Sequence, residues 1–185
     1  YPSGGADVLM GSVVTRDEAL HLQIKLAHMR LGLGVGANDA EAILRGLPSL
    51  PLRYAAHDAA TRQVAEWLHQ RSEFAQVLHP ALSSSPGHAF WKETCVAAGG
   101  LVSVLFDERF SAAQIDAFVD ALRLFKIGYS WGGPMSLAVP YKLSYMRSLG
   151  TSPRGHLVRL AIGLERPEDL IADLQQALEA SVLRT

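Results

Sequence analysis

Three observations predict an α/β fold for this chain of 185 residues. Short apolar runs recur along it, at Phe74–Leu78, Leu101–Phe106 and residues 157–162. Longer segments with helical spacing and readable caps lie between them. Hydrophobic residues make up 49% of the sequence against 19% charged, which excludes a disordered polymer. Strands that alternate with helices give a layered α/β or α+β domain. No internal repeat or low-complexity stretch interrupts the alternation.

Residues 1–7 are turn chemistry: Pro2 fixes one dihedral, and Gly4 and Gly5 permit positive φ. Residues 8–14 read as a short strand, with Gly11 a point of close backbone approach. Thr15, Arg16, Asp17 and Glu18 form a capping box, and a helix follows to about Leu31 with Leu22, Leu26 and Met29 at helical spacing. Gly32, Gly34 and Gly36 end that helix. A dinucleotide-binding loop would follow a strand and open a helix, so this run reads as a flexible exit. Asn38 caps a short helix that carries Glu41 and Leu44. Ser49 and Pro51 open a long helix to about Gln70, long enough to bridge two domains.

Phe74–Leu78 is a strand, and the loop from His79 and Pro80 to Gly87 leads to a short helix around Trp91. Leu101–Phe106 is the next strand, and Ser111 with Gln114 caps a helix to Phe125. Residues 127–129 are extended and enter Ser130, Trp131, Gly132, Gly133 and Pro134. Residues 157–162 form a further strand, and Pro167 opens the last helix, which reaches about Glu179. A boundary falls near residues 46–60. The part before it finishes a fold begun upstream, and the part after it closes its own core.

Lys and Arg (17) nearly balance Asp and Glu (18), so a net charge of −1 sets up no field that gathers nucleic acid or an anionic membrane. One cysteine, Cys95, makes neither an internal disulfide nor a Cys-rich zinc site, which fits a cytosolic chain rather than a secreted one. No apolar run reaches the roughly 18 residues of a membrane span. The chain begins in a Gly-rich turn without a charged-then-apolar leader, and reads there as the interior of something longer. The seven histidines do not converge in sequence. His21 and His28 are two helical turns apart where a helical zinc pair needs one, and His57 sits near Arg53, so no metal site is expected. No Gly-x-Ser-x-Gly and no Cys–His arrangement is present.

Two places carry chemistry. Arg159 lies inside an otherwise apolar strand, where alternation puts Val158, Leu160 and Ile162 on one face and Leu157, Arg159 and Ala161 on the other. A guanidinium there needs an anion, because an unpaired buried charge costs several kcal/mol. The anion is either an internal carboxylate or a substrate carboxylate gripped by the planar fork that lysine lacks. Tyr129, Ser130 and Trp131, followed by Gly132 and Gly133, place a flat aromatic surface beside backbone that a ligand can approach. The other reading of that segment is a tight turn around a core tryptophan. No nucleophile or base stands out.

Together the motifs resemble one family. The run from Tyr1 through Asp7 to Gly11 looks like the segment just after the cofactor lysine of the Cys/Met-metabolism enzymes that use pyridoxal phosphate (PLP). Arg45, Gly46, Leu47, Leu50, Arg53 and His57 are similar to that family's signature at the start of its interdomain helix. His79 to Leu82 and Gly87, His88, Trp91 and Lys92 resemble the loop after it. Tyr129 to Gly133, and residues 157–165, resemble the β-lyase branch.

The resemblance implies fold type I of the PLP-dependent transferases, the aspartate-aminotransferase-like class. Residues 1–46 would end the large cofactor domain, and residues 47–185 would supply the interdomain helix and the small C-terminal α/β domain. It implies a cytoplasmic homotetramer, a dimer of dimers, that binds a small sulfur amino acid and neither nucleic acid nor membrane. The implied reaction is α,β-elimination of L-cystathionine to L-homocysteine, pyruvate and ammonia, a step in methionine biosynthesis. Arg159 would hold the substrate carboxylate, with Ser130, Trp131 and Tyr129 in the same pocket. The lysine that carries PLP would immediately precede Tyr1, so no catalytic residue is assigned within the chain. The first 46 residues should then expose apolar surface that packs on strands outside it. A γ-acting lyase or synthase of the same family is the alternative, and so is a non-catalytic α/β module. Met135 stands where the family commonly has an acid and Gly5 where it commonly has His. Residues 140–155, with Tyr141, Tyr145 and Arg147, follow no family pattern.

Overall fold

The computed structural model describes residues 1–143 and 155–183. In chain order its elements are α1 (Glu18–Arg30), α2 (Ala37–Gly46), a 3-10 turn (Leu47–Ser49), α3 (Leu50–His69), β1 (Phe74–Leu78), α4 (His88–Thr94), β2 (Leu101–Phe106), α5 (Ala112–Ala121), β3 (Lys126–Ile127), β4 (Leu137–Lys142), β5 (His156–Ala161) and α6 (Pro167–Ser181). The strands form one sheet in the order β1-β2-β5-β4-β3. Every pairing is antiparallel except that of β3 with β4.

Register explains the core. Val102 pairs with Leu160, Val104 with Val158, and Ala138 with Leu160, so the buried residues of three strands line up on one face. That face carries the helices. α3 buries His57, Ala60, Thr61, Val64, Ala65 and Leu68, a stripe at three- and four-residue spacing. α6 buries Leu170, Leu174, Ala177 and Leu178 in the same pattern, and α5 adds Ile115, Phe118 and Val119. Phe106 sits at the centre, with ring centroids of Phe74 at 4.9 Å and Phe118 at 5.4 Å. The opposite face of β5 carries Arg159, between Ser103 of β2 and Val139 of β4.

Several expectations change. Residues 8–14 make no strand: they find no paired neighbour, and Leu9 and Val14 are 101% and 91% exposed. An extended segment without a partner strand leaves its backbone groups to water. The cap of α1 is Asp17, whose Oδ1 accepts from Leu20 N at 2.6 Å, while Thr15 Oγ1 donates to the Asp17 carbonyl. Asn38 lies inside α2, which starts after Gly36 without a side-chain cap. The Ser111–Gln114 capping box is present, but α5 stops at Ala121 rather than Phe125. Asp173 causes this, since its carboxylate accepts from the backbone N–H groups of Arg123, Leu124 and Phe125 and draws them out of the helix.

The strand β4 lies where the sequence reading places no element, and Pro140 falls inside it. β3 pairs only with Leu137 and Ala138, so the rest of β4 is an edge, where proline is tolerated. Tyr145 and Arg147 lie outside the described residues.

Candidate functional site

The site forms where the N-terminal turn meets the loop between β3 and β4. Residues of the long helix and its lead-in hold the turn. Arg53 donates from Nη1 to the Tyr1 carbonyl at 2.6 Å, from Nη2 to the Gly46 carbonyl at 2.9 Å and from Nε to Ser49 Oγ at 3.0 Å. Gly46 is buried under the turn, so close that a Cβ there would strike the Pro2 and Ser3 carbonyls. The Tyr1 ring packs edge-on against Tyr54 and His57, at 5.0 and 5.2 Å between centroids, and its hydroxyl accepts from Gly100 N at 2.8 Å.

Around Gly100 the backbone is pinned from α3. Asp58 Oδ1 accepts from Ala98 N at 2.5 Å and Gly99 N at 3.2 Å, and its carboxylate pairs with Arg62 at 2.8 Å. Burial pushes the Asp58 carboxyl up, but Arg62 and the two N–H groups outweigh it and hold it below the usual carboxylate range. His57 Nδ1 lies 2.7 Å from the Ile162 carbonyl at the end of β5. Burial lowers the imidazole, more than this hydrogen bond raises it, so His57 is a neutral donor at pH 7.

Against this anchored turn lies the loop with Gly132, whose φ is +74°. A Cβ at Gly132 would stand 2.7 Å from Tyr1 N, so only glycine lets the two segments touch. A Cβ at Gly133 would likewise meet Ala6 Cβ at 2.8 Å. The far end of the loop is stapled by Glu165, which accepts from Ser136 N and Ser136 Oγ at 2.8 Å each, while Ser136 Oγ accepts from Gly163 N. Met135 itself is exposed, and the carboxylate at this place comes from beyond β5. A cleft of 540 Å³ results, lined by Tyr1, Ala6, Val8, Ile43, Ser130 and Trp131 among others.

Arg159 stands next to that loop, outside the cleft lining. Its Nη2 donates to the Tyr129 carbonyl at 2.6 Å and the Ser130 carbonyl at 3.4 Å, and its Cζ lies 5.7 Å from the centroid of the Trp131 ring. Nε is buried with no hydrogen-bond partner. Among the described residues no carboxylate comes within ion-pair distance of Arg159. Internal neutralisation, the structural alternative for this arginine, is therefore absent there. Arg71 makes the contrast: its Nε is also unpartnered, but its Nη2 meets Glu73 at 2.8 Å. Trp131 is half exposed rather than a core residue.

All four residues singled out in the sequence, Tyr129, Ser130, Trp131 and Arg159, thus come together. Two contributions escaped the sequence. Arg53 and His57 matched a motif without a visible task, and the structure gives them one, to seat Tyr1. Tyr141, left without a pattern, lies with its ring centroid 5.8 Å from Arg159 Cζ. Among the described residues no three His, Cys, Asp or Glu side chains gather to hold a metal, and no helix is long and apolar enough to cross a membrane.

Comparison with known proteins places this geometry. Residues 1–179 match the family described as Cys/Met metabolism PLP-dependent enzyme. A cystathionine beta-lyase from Bordetella avium is 41% identical over 97% of this chain and 45% of its own length. An L-alanine/L-glutamate racemase from Wolbachia pipientis wMel is 36% identical over 96% of this chain and 44% of its own. A solved cystathionine gamma synthase from Xanthomonas oryzae pv. oryzae superposes with a TM-score of 0.88 at 34% identity, over 100% of this chain and 49% of that one. The chain spans less than half the length of these relatives. The sheet and its helices are the fold type I arrangement of PLP-dependent enzymes. With a match that runs from the Tyr1 turn through the glycine loop and past the Arg159 strand, this chain belongs to the Cys/Met metabolism family of PLP-dependent enzymes.

Proposed function

We propose that the whole protein is a carbon–sulfur lyase that, with uptake of water, converts L-cystathionine to L-homocysteine, pyruvate and ammonia. The observation that carries this reading is Arg159: a guanidinium with a buried, unpartnered Nε and no carboxylate neighbour among the described residues, set beside Trp131. Such a group calls for an anion from outside, and its planar fork matches a carboxylate. The relative from Bordetella avium, named as a cystathionine beta-lyase, supports the substrate.

Bound pyridoxal phosphate supplies the electron sink for charge left at the substrate Cα. The residues here fit such a group: Tyr1 N touches the space beside Gly132, so a cofactor lysine immediately before Tyr1 would emerge next to Ser130 and Trp131. Those two side chains would flank the cofactor and substrate. Arg159 would donate to the α-carboxylate and so hold the amino acid in one orientation about Cα. The Tyr129 and Ser130 carbonyls hold Nη2, so the guanidinium is oriented before substrate arrives. Tyr129 would border this pocket, its carbonyl on Arg159 Nη2.

In this reading residues 1–46 complete the large cofactor domain and residues 47–185 form the interdomain helix and small domain. The enzyme works as a cytoplasmic homotetramer, and its balanced charge and solitary Cys95 agree with that setting. A second reading, γ-elimination or γ-replacement, has the gamma synthase superposition behind it. The test is the keto acid released from L-cystathionine by the full-length protein. Pyruvate is expected, and a predominance of 2-oxobutyrate would move the assignment to γ chemistry. A yellow, borohydride-reducible chromophore is expected as well, and its absence after reconstitution would leave a non-catalytic module.

A further inference from the structure

We infer that Tyr141 is a positioning residue of the carboxylate site, one ring of an aromatic clamp that fixes the plane of the Arg159 guanidinium. The inference rests on the reading of Arg159 given above. Its starting point is register. β4 pairs Val139 with Arg159, so Tyr141, two residues further along, is the diagonal neighbour of Arg159 on the same face of the sheet. Diagonal pairs across antiparallel strands lie within reach of aromatic and long side chains.

The Tyr141 ring centroid is 5.8 Å from Arg159 Cζ, and Trp131 presents a second ring at 5.7 Å. Tyr141 is in turn held edge-on by Tyr129, with centroids 6.1 Å apart and planes at 71°. The clamp therefore ties the loop after β3 to strand β4 through one cation.

The chemistry explains why a ring suits this place. A carboxylate partner would neutralise Arg159 and compete with a ligand, whereas a π face attracts the cation and leaves its N–H donors free. Two carbonyls occupy Nη2, and Nε remains buried without a partner. A free arginine side chain loses much rotamer entropy when it binds, and one already held against two aromatic neighbours loses less. Tyr141 thus acts on affinity for the carboxylate through Arg159, without touching the reacting bonds.

L-alanine and L-alaninamide differ at the carboxylate, and their binding to the full-length protein with its cofactor can be measured by calorimetry. Tyr141→Leu should lower the preference for L-alanine by roughly tenfold, the size of a partly desolvated cation–π contact. It should also raise KM for cystathionine by a larger factor than it lowers kcat. Tyr141→Phe should retain both, because the ring and not the hydroxyl is at work. Should the leucine variant not fold, Tyr141→Met takes its place. An unchanged preference in the ringless variant, or an equal loss in Tyr141→Phe, overturns the inference. Arg159→Lys separates the two levels. If it loses the preference while Tyr141→Leu keeps it, Tyr141 alone is dismissed. If it keeps the preference, the Arg159 reading falls and the clamp with it.

Discussion

From Leu50 onward the chain closes a core of its own, while before Gly46 its apolar residues stand in the open. α6 buries Leu170, Leu174, Ala177 and Leu178, and α5 buries Ile115 and Phe118, whereas α1 buries nothing. Leu9, Val13, Val14, Leu31 and Leu44 are all exposed. The two regions do not differ in the kind of residue they contain. They differ in neighbours: the later one has antiparallel register to bring Val104 against Val158, and the earlier one finds no strand to pair with among the described residues of this chain. Hydrophobicity marks what can be buried, and pairing decides what is. The site sits on the seam between the two, where Arg53 and His57 of α3 reach Tyr1.

Core truncation is the harshest way to probe that contrast. Phe118→Ala should cost about 3–5 kcal/mol in chemical denaturation, and Leu9→Ala in the same 185-residue chain less than about 0.5 kcal/mol. Similar losses at both positions would break the distinction. Next in size is Asp173, which is buried and accepts from three consecutive N–H groups. Asp173→Ala should cost about 1–3 kcal/mol, seen as a lower denaturation midpoint, because those donors lose their partner. A neutral result would mean that water takes over.

Acid should also weaken the later region first. Burial lowers both His57 and His79 below the ordinary histidine value. The unfolded chain then binds protons more readily than the folded one as pH falls through about 6.5 towards the lowered values, so stability must drop over that window. Unfolding free energy measured between pH 7.5 and 5 at constant salt, in steps of roughly half a unit, should fall towards acid, and less steeply in His79→Gln. A flat profile would contradict the neutral, buried assignment. The smallest effect belongs to the Ser111 cap of α5, where Ser111→Ala should cost about 1 kcal/mol in the same denaturation assay.

Legibility followed the same divide. β1 and β2 keep the bounds read from their short apolar runs, and the Ser111 box works as written, because each depends on residues a few positions apart. The face of Arg159 was readable too, since a two-residue period is local. Residues 8–14 carry the same local signal and fail, for a strand is a property of a pair. β4 went unread for a matching reason: that Pro140 falls where β3 no longer pairs, beyond Leu137 and Ala138, is not written in the run itself. At the site, Trp131 and Arg159 stood out by chemical type. The meeting of Tyr141 with Arg159 depends on register across two strands, and that of Tyr1 with Gly132 spans most of the chain.

Substrate recognition in this reading rests on the Arg159 guanidinium of β5, which meets no carboxylate among the described residues. Steady-state kinetics of Arg159→Ala with L-cystathionine, on the full-length enzyme, test it most directly. The expected loss in kcat/KM corresponds to about 2–5 kcal/mol of carboxylate recognition, as for a broken desolvated charge pair. A kcat/KM equal to that of the unaltered enzyme would show that Arg159 grips no substrate carboxylate.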